Sequence, residues 1–236
     1  MLTTHRLMMT WKRMVNIFLC SSHFYRDLFE RAGLPTNKLV VMPHFVEADA
    51  QSHVTRGAGD YALFIGRLDP EKGVRTLLEA WSQLEIPLKV RGDGQLEQEA
   101  REFVTSRNMK GVEFVGRLSS EELAALIRNA RFLVVPSEGY YETFGMVIIE
   151  AYARGVPVLA SRIGVATEMV VEGETGLCFV SGNAADLADK AQRLWDDSLM
   201  AAQLGDNAQR LYYKKFTPAR CYDTLLGVYK SVAGSR

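Results

Sequence analysis

From residue 61 to residue 160, short apolar runs alternate with amphipathic stretches, and the connections between them are brief. Tyr61 to Ile65 reads as a buried strand ended by Gly66, and Val74, Leu77, Leu78, Trp81 and Leu84 recur at helical spacing. Strands follow over 88–90, 112–115, 132–135 and 156–160, with helices over 95–106, 121–129 and 144–153 between them. Most of the strands are apolar on both faces, which a sheet surface open to water would not tolerate. The pattern predicts an α/β fold: a doubly wound parallel sheet covered by helices on both sides, with its ligand crevice at the carboxyl ends of the strands. From Ala184 the chain reads as wholly helical, with apolar stripes through Leu187 and Leu194, Leu204 and Leu211, and Tyr222, Leu225, Leu226 and Tyr229.

Residues 1–46 stand apart from this alternation. A strand over 15–20, a helix over 22–32 introduced by an N-cap serine and a strand over 38–42 make a β-α-β unit that cannot bury its own faces and wants a sheet to join. The polar, glycine-containing stretch within 47–60 suits a linker, so the main domain is expected over 61–236. Arg6, Lys12 and Arg13 interrupt the apolar start, which fits a surface helix or a contact face better than a signal peptide. No apolar run approaches the ~20 residues that a membrane span needs. Cys20, Cys178 and Cys221 are scattered and odd in number, so no metal-ligand spacing exists and a reducing cytoplasm is the simplest compartment. Lys plus Arg (28) balance Asp plus Glu (28), which removes the bulk electrostatic argument for nucleic acid but leaves room for a local phosphate site.

Two tracts carry chemistry. Gly66-Arg67-Leu68-Asp69-Pro70-Glu71-Lys72-Gly73 follows a strand and opens a helix, placing Arg67 and Lys72 beside the unpaired amides of a helix start, as a diphosphate site requires. Basic loop residues are also often only solvated surface charges. The second tract, Pro136 to Gly145, follows a strand and leads into an apolar helix whose first amides, from Thr143, Phe144 and Gly145, lack helical acceptors. Glu142 precedes them and Glu150 lies eight residues on, roughly 12 Å away at ~1.5 Å per residue, about the length of a sugar-diphosphate-ribose unit. Glu150 stands among Ile148, Ile149, Ala151 and Tyr152. Ribose hydroxyls would satisfy its carboxylate; an internal salt bridge or an exposed position would do so equally.

These tracts, with Ile149-Glu150-Ala151, Gly155-Val156-Pro157-Val158 and Gly173-Glu174-Thr175-Gly176-Leu177, resemble family-4 retaining glycosyltransferases of the GT-B architecture over roughly residues 15–230. The resemblance implies a Rossmann-like, C-terminal donor-binding domain with a helical tail. It implies that Arg67 and Lys72, beside Gly66, hold the donor diphosphate and stabilise the charge of its departure. Glu142 with Thr143, Phe144, Gly145, Met146 and Val147 would bind the donor sugar, Glu150 the ribose, and the backbone near Arg117 and Leu118 the nucleobase. The catalytic set is then Glu142, Arg67 and Lys72, and neither glutamate acts as in a glycosidase. The donor would be a UDP- or GDP-linked sugar and the acceptor a sugar or a lipid-linked sugar, without cofactor or metal. Polysaccharide or lipopolysaccharide assembly at the inner membrane surface fits by association.

Two positions depart from the family pattern. Pro43-His44-Phe45-Val46 stands where the family often has proline-asparagine, so His44 reads as a structural variant, and Gln95 stands where a proline is common. Residues 1–46 resemble only the end of the family's acceptor-side domain. A partial chain is expected, weakly active alone, with sticky apolar surface favouring self-association and any peripheral membrane contact made through the missing half. One alternative is a non-catalytic half-domain awaiting a partner; another is a nucleotide-sugar epimerase or phosphorylase of GT-B fold, and the glutamate pair and the Gly-Arg-Leu tract speak against these two enzymes. A nicotinamide dehydrogenase is disfavoured by the absence of the dinucleotide glycine pattern.

Overall fold

The computed structural model describes residues 10–48, 59–139 and 144–234. After a short helix α1 (Thr10–Met14), β1 (Phe18–Cys20), α2 (His23–Arg31) and β2 (Leu39–Val41) form a two-stranded parallel sheet with its crossover helix. The main domain runs β3 (Ala62–Ile65), α3 (Val74–Trp81), β4 (Leu88–Arg91), α4 (Glu97–Ser106), β5 (Val112–Val115), α5 (Ser120–Arg128), β6 (Phe132–Val135), α6 (Met146–Ala153), β7 (Val158–Ser161), α7 (Ala166–Met169) and β8 (Gly176–Phe179). Three helices complete it: α8 (Ala184–Asp196), α9 (Ser198–Lys215) and α10 (Pro218–Ala233).

The six strands β3 to β8 lie in the order β5-β4-β3-β6-β7-β8, every neighbouring pair parallel. That is the doubly wound arrangement. Alternation along each strand sorts side chains to two cores. Leu63, Leu133, Val135, Val158 and Ala160 face α5, α6, α7 and the second half of α9, whereas Ala62, Phe64, Phe132, Val134 and Leu159 face α3, α4, α8 and the start of α9. Burying each such large side chain is worth about 1.5–3 kcal/mol. β6, β7 and β8 are buried throughout, so the central strands read as unbroken apolar runs.

Two elements are absent from the sequence reading, the strand β8 and the four-residue helix α7. Glycine at the start of a strand looks like punctuation, but Gly176 is required by close approach: a Cβ there would sit 1.9 Å from the Val158 carbonyl oxygen of β7. Two further differences concern exposure and helix starts. The tyrosines of the last apolar stripe do not face a core, since Tyr222 and Tyr229 are 63% and 66% exposed and Cys221 is the buried residue of α10. Gly145 adopts φ 81° and caps α6, so the helix begins at Met146 rather than at Phe144.

The N-terminal unit is tied to the main domain by polar bonds. Tyr212 Oη donates to Val46 O at 2.7 Å, and both Glu168 carboxylate oxygens accept from the start of α2, from His23 N at 3.1 Å and Phe24 N at 3.0 Å. Leu19 and Leu28 remain 43% and 46% exposed.

Gly205 in α9 tests the close packing of this scaffold. A Cβ there would lie 2.1 Å from the Gly155 carbonyl oxygen in the connection between α6 and β7. Gly205→Ala gains about 1 kcal/mol of helix propensity, yet overpacking against backbone costs about 1–3 kcal/mol. The variant is expected to unfold at lower urea concentration than the parent; a stabilised variant would refute the contact.

Candidate functional site

The sheet reverses its winding between β3 and β6, which neighbour each other while their chains cross over to opposite sides. A crevice opens at such a point, outside the carboxyl ends of the two strands. The Gly66–Gly73 loop leaves β3 and the Pro136–Gly139 segment leaves β6 there, and they are held in contact. Gly73, at φ 67°, lies so close that a Cβ would come within 1.8 Å of Pro136 O. Glu138 N donates to Glu71 O at 2.9 Å, and Thr76 Oγ1 donates to the Glu138 carboxylate. On the other flank Gly66 N donates to Arg91 O at 3.1 Å, Leu68 N to Asp93 O at 2.8 Å and Leu96 N to Leu68 O at 2.7 Å. Gly92 is as constrained as Gly73, since its Cβ would stand 1.8 Å from Gly66 O. Three loops from β3, β4 and β6 are thereby stacked into one rim.

Arg67 sits on that rim with its side chain 63% exposed. Its guanidinium donates to Asp69 and, at 2.6 Å, to Glu71 Oε1. Asp69 is the fixed end of this group: it is 8% exposed and its Oδ1 also accepts from Gln95 N at 3.2 Å. The pair with the more open Glu71 is worth about 0–1 kcal/mol, so Arg67 can exchange that carboxylate for an incoming anion at small cost. Lys72 is half-buried and closes the 3-10 turn Pro70–Lys72 just ahead of Gly73 and α3.

Across the crevice, Ser137 is buried and its carbonyl accepts from Ser161 Oγ at 2.5 Å and Ser181 Oγ at 3.4 Å, pinning the segment after β6 to β7. Glu142 and Thr143 lie outside the described residues. Phe144 is buried, its ring edge-to-face with His44 at 4.9 Å and with Phe216 at 6.1 Å, so His44 packs against the helix start and Phe144 reaches a ligand only through its backbone. Met146 (40% exposed) and Val147 occupy the first turn of α6, where amides have no helical acceptor.

Glu150 is half-buried on α6. Burial pushes its carboxyl above the ordinary 4.5, and the charges of Arg154 and Arg91 pull it partly back. Arg91 is a residue the sequence reading passed over. It ends β4 in register between Ile65 and Val115, on the sheet face that carries α6. It also lines a cavity of about 490 Å³ with Gly92, Asp93, Arg117 and Leu118. Arg91 is thus the link between Arg67, Glu150 and the Arg117–Leu118 segment: its charge acts on Glu150, it shares a cavity wall with Arg117 and Leu118, and its carbonyl holds Gly66 N beside Arg67. Asp69 and Ser137 were passed over as well; an acid three residues after a turn glycine carries no signal of its partners until the loops are folded together.

Among the described residues no group of three or more His, Cys, Asp or Glu is placed to hold a metal ion, and no helix is long and apolar enough to cross a membrane. The three cysteines are buried and free.

The sequence profile of the glycosyl transferases group 1 family matches residues 45–211. An uncharacterized glycosyltransferase of Methanocaldococcus jannaschii is 36% identical over 177 residues, 74% of this chain and 50% of that protein. Glycogen synthase of Mycobacterium tuberculosis is 31% identical over 199 residues, 79% of this chain and 47% of that protein. The chain thus spans about half the length of the curated relatives it matches. Among solved structures, sucrose-phosphate synthase from Thermosynechococcus elongatus superposes with a TM-score of 0.80 at 27% identity, covering 97% of this chain and 62% of the other. HepE of Anabaena, solved in complex with UDP and glucose, gives 0.81 at 21% identity, over 98% of this chain and 67% of the other.

The raised Glu150 carboxyl has a thermodynamic signature. A group that holds its proton more tightly folded than unfolded makes the folded state lose stability as pH climbs from 4.5 through the raised value, and the loss is complete above it. Glu150→Gln removes that loss. In urea titrations at pH 7 the variant is expected to exceed the parent, with the advantage vanishing near pH 4. An advantage equal at both pH values would mean that ionising Glu150 costs the fold nothing.

Proposed function

This chain belongs to the glycosyl transferases group 1 family, and we propose that it binds a nucleoside-diphosphate sugar in the crevice between β3 and β6 and serves its transfer, with retention at the anomeric carbon, to a sugar or lipid-linked acceptor. The observation that carries this reading is the rim itself: the loops after β3 and β6 meet at the winding reversal, with Arg67 on one and the start of α6 on the other.

The chemistry asked of the protein is electrostatic. Breaking the bond between the sugar and the diphosphate leaves growing negative charge on the leaving oxygen, and fixed cations stabilise that charge more than they stabilise the ground state. Arg67 and Lys72 are assigned this task. Arg67 hands Asp69 and Glu71 back to solvent and to Gln95 N as it turns to the diphosphate. The first-turn amides of α6, with Glu142 and Thr143 ahead of them, take the donor sugar. Glu150 takes the ribose hydroxyls, which supply the donors its half-buried carboxylate lacks water for. The base lies toward Arg117 and Leu118. The retaining course, on the same face of the sugar, needs no carboxylate nucleophile and no metal in this scheme, and we place the reaction in the cytoplasm.

Because the chain spans about half the length of its relatives, donor binding and sugar transfer are separate outcomes of the test. UDP and GDP are titrated against the full chain with thermal unfolding as readout. One of them is expected to raise the midpoint, and Arg67→Ala to weaken binding by about 10- to 100-fold, the worth of one or two charge-assisted hydrogen bonds. Protection by neither nucleotide would overturn the assignment.

A further inference from the structure

A cavity of about 470 Å³ lies on the seam between the N-terminal β-α-β unit and the main domain, and no part of the donor scheme uses it. Three cations line it: Lys214 and Lys215 from the last turn of α9 and Arg220 from the first turn of α10. No ion pair joins any of the three to an acid among the described residues. Two acids, Glu168 and Asp223, share the wall. Three positive charges thus face two carboxylates, and Glu168 has both its oxygens taken up by the amides of His23 and Phe24.

The helix ends separate ordinary placement from placement that calls for a reason. A helix dipole favours cations in its last turn, so Lys214 and Lys215 by themselves signify little. Arg220 is the third residue of α10, behind Thr217 as N-cap and Pro218, where the same dipole opposes a cation; that first turn holds no acid. A cation set against its own helix and turned into a cavity with two lysines forms a site for a small, doubly charged anion. Phe144, the residue just ahead of the cap of α6, forms part of its wall.

We propose that this seam cavity binds a phosphate monoester through Lys214, Lys215 and Arg220. Two sources share this chemistry, a soluble phosphorylated sugar or polyol and a lipid headgroup, and two probes tell them apart. Glycerol 3-phosphate is titrated calorimetrically, and phosphatidylcholine vesicles with and without phosphatidic acid are tested by flotation, both with the full chain.

The parent is expected to bind at least one probe, and Lys215→Ala/Arg220→Ala to weaken that binding at least tenfold. Asp223→Asn, which removes one opposing carboxylate without deleting a contact to the ligand, is expected to tighten it. Arg67→Ala is expected to leave it unchanged while weakening nucleotide binding, so a failure of the donor reading and a failure of this one are told apart. Binding of glycerol 3-phosphate assigns a soluble ligand, and binding confined to phosphatidic acid vesicles assigns a lipid. Neither probe binding, binding untouched in the double variant, or binding lost in Arg67→Ala alone would overturn the site.

Discussion

A sheet whose neighbours all run parallel cannot be built from hairpins; each strand must return through a crossover before the next can begin. In this chain that requirement decides where chemistry can happen. The crossovers cover both faces with helices, the central strands are buried along their length, and polar groups are admitted only where strands end. At the β3–β6 boundary the crossovers depart in opposite directions, and it is at such a point that a crevice opens outside the strand ends. Of the residues assigned to the donor, Arg67 and Lys72 stand on the loop after β3, and Glu150 on α6, the helix that follows β6.

Much of this architecture was legible because its cause is local. Unbroken apolar runs such as Phe132 to Val135, followed by helical periodicity, can only mean strands covered on both sides. β8 escaped notice because its first residue is a glycine whose reason lies on another strand, at Val158, and spacing along the chain carries no trace of that. The tyrosines of α10 misled in the opposite way: periodicity reports that a helix has two faces, not that something covers one of them. At the site, the glycine turns and the cations were readable, while Asp69, Arg91 and Ser137 were not. Each owes its importance to a partner 24 or more positions away: Gln95 N for Asp69, Glu150 for Arg91 and Ser161 for Ser137.

Asp69 shows how such a site stays ready without being strained. It is nearly buried, yet it holds the Gln95 amide as well as Arg67, so the guanidinium can leave without stranding a carboxylate. Glu71 is more open to solvent and rehydrates when released. The resting ion pairs therefore keep Arg67 close to the rim and ask little of any anion that displaces them.

Glu168 has a consequence for the way the chain is made. Ser22 satisfies the Tyr25 amide locally, but the amides of His23 and Phe24 find their acceptors 145 and 144 residues downstream. At the ~5–20 residues per second of translation, α2 leaves the ribosome roughly 7 to 30 s before that carboxylate exists. Through that interval the His23 and Phe24 amides have only water as acceptor, and the helix start takes its final form once residue 168 has been made.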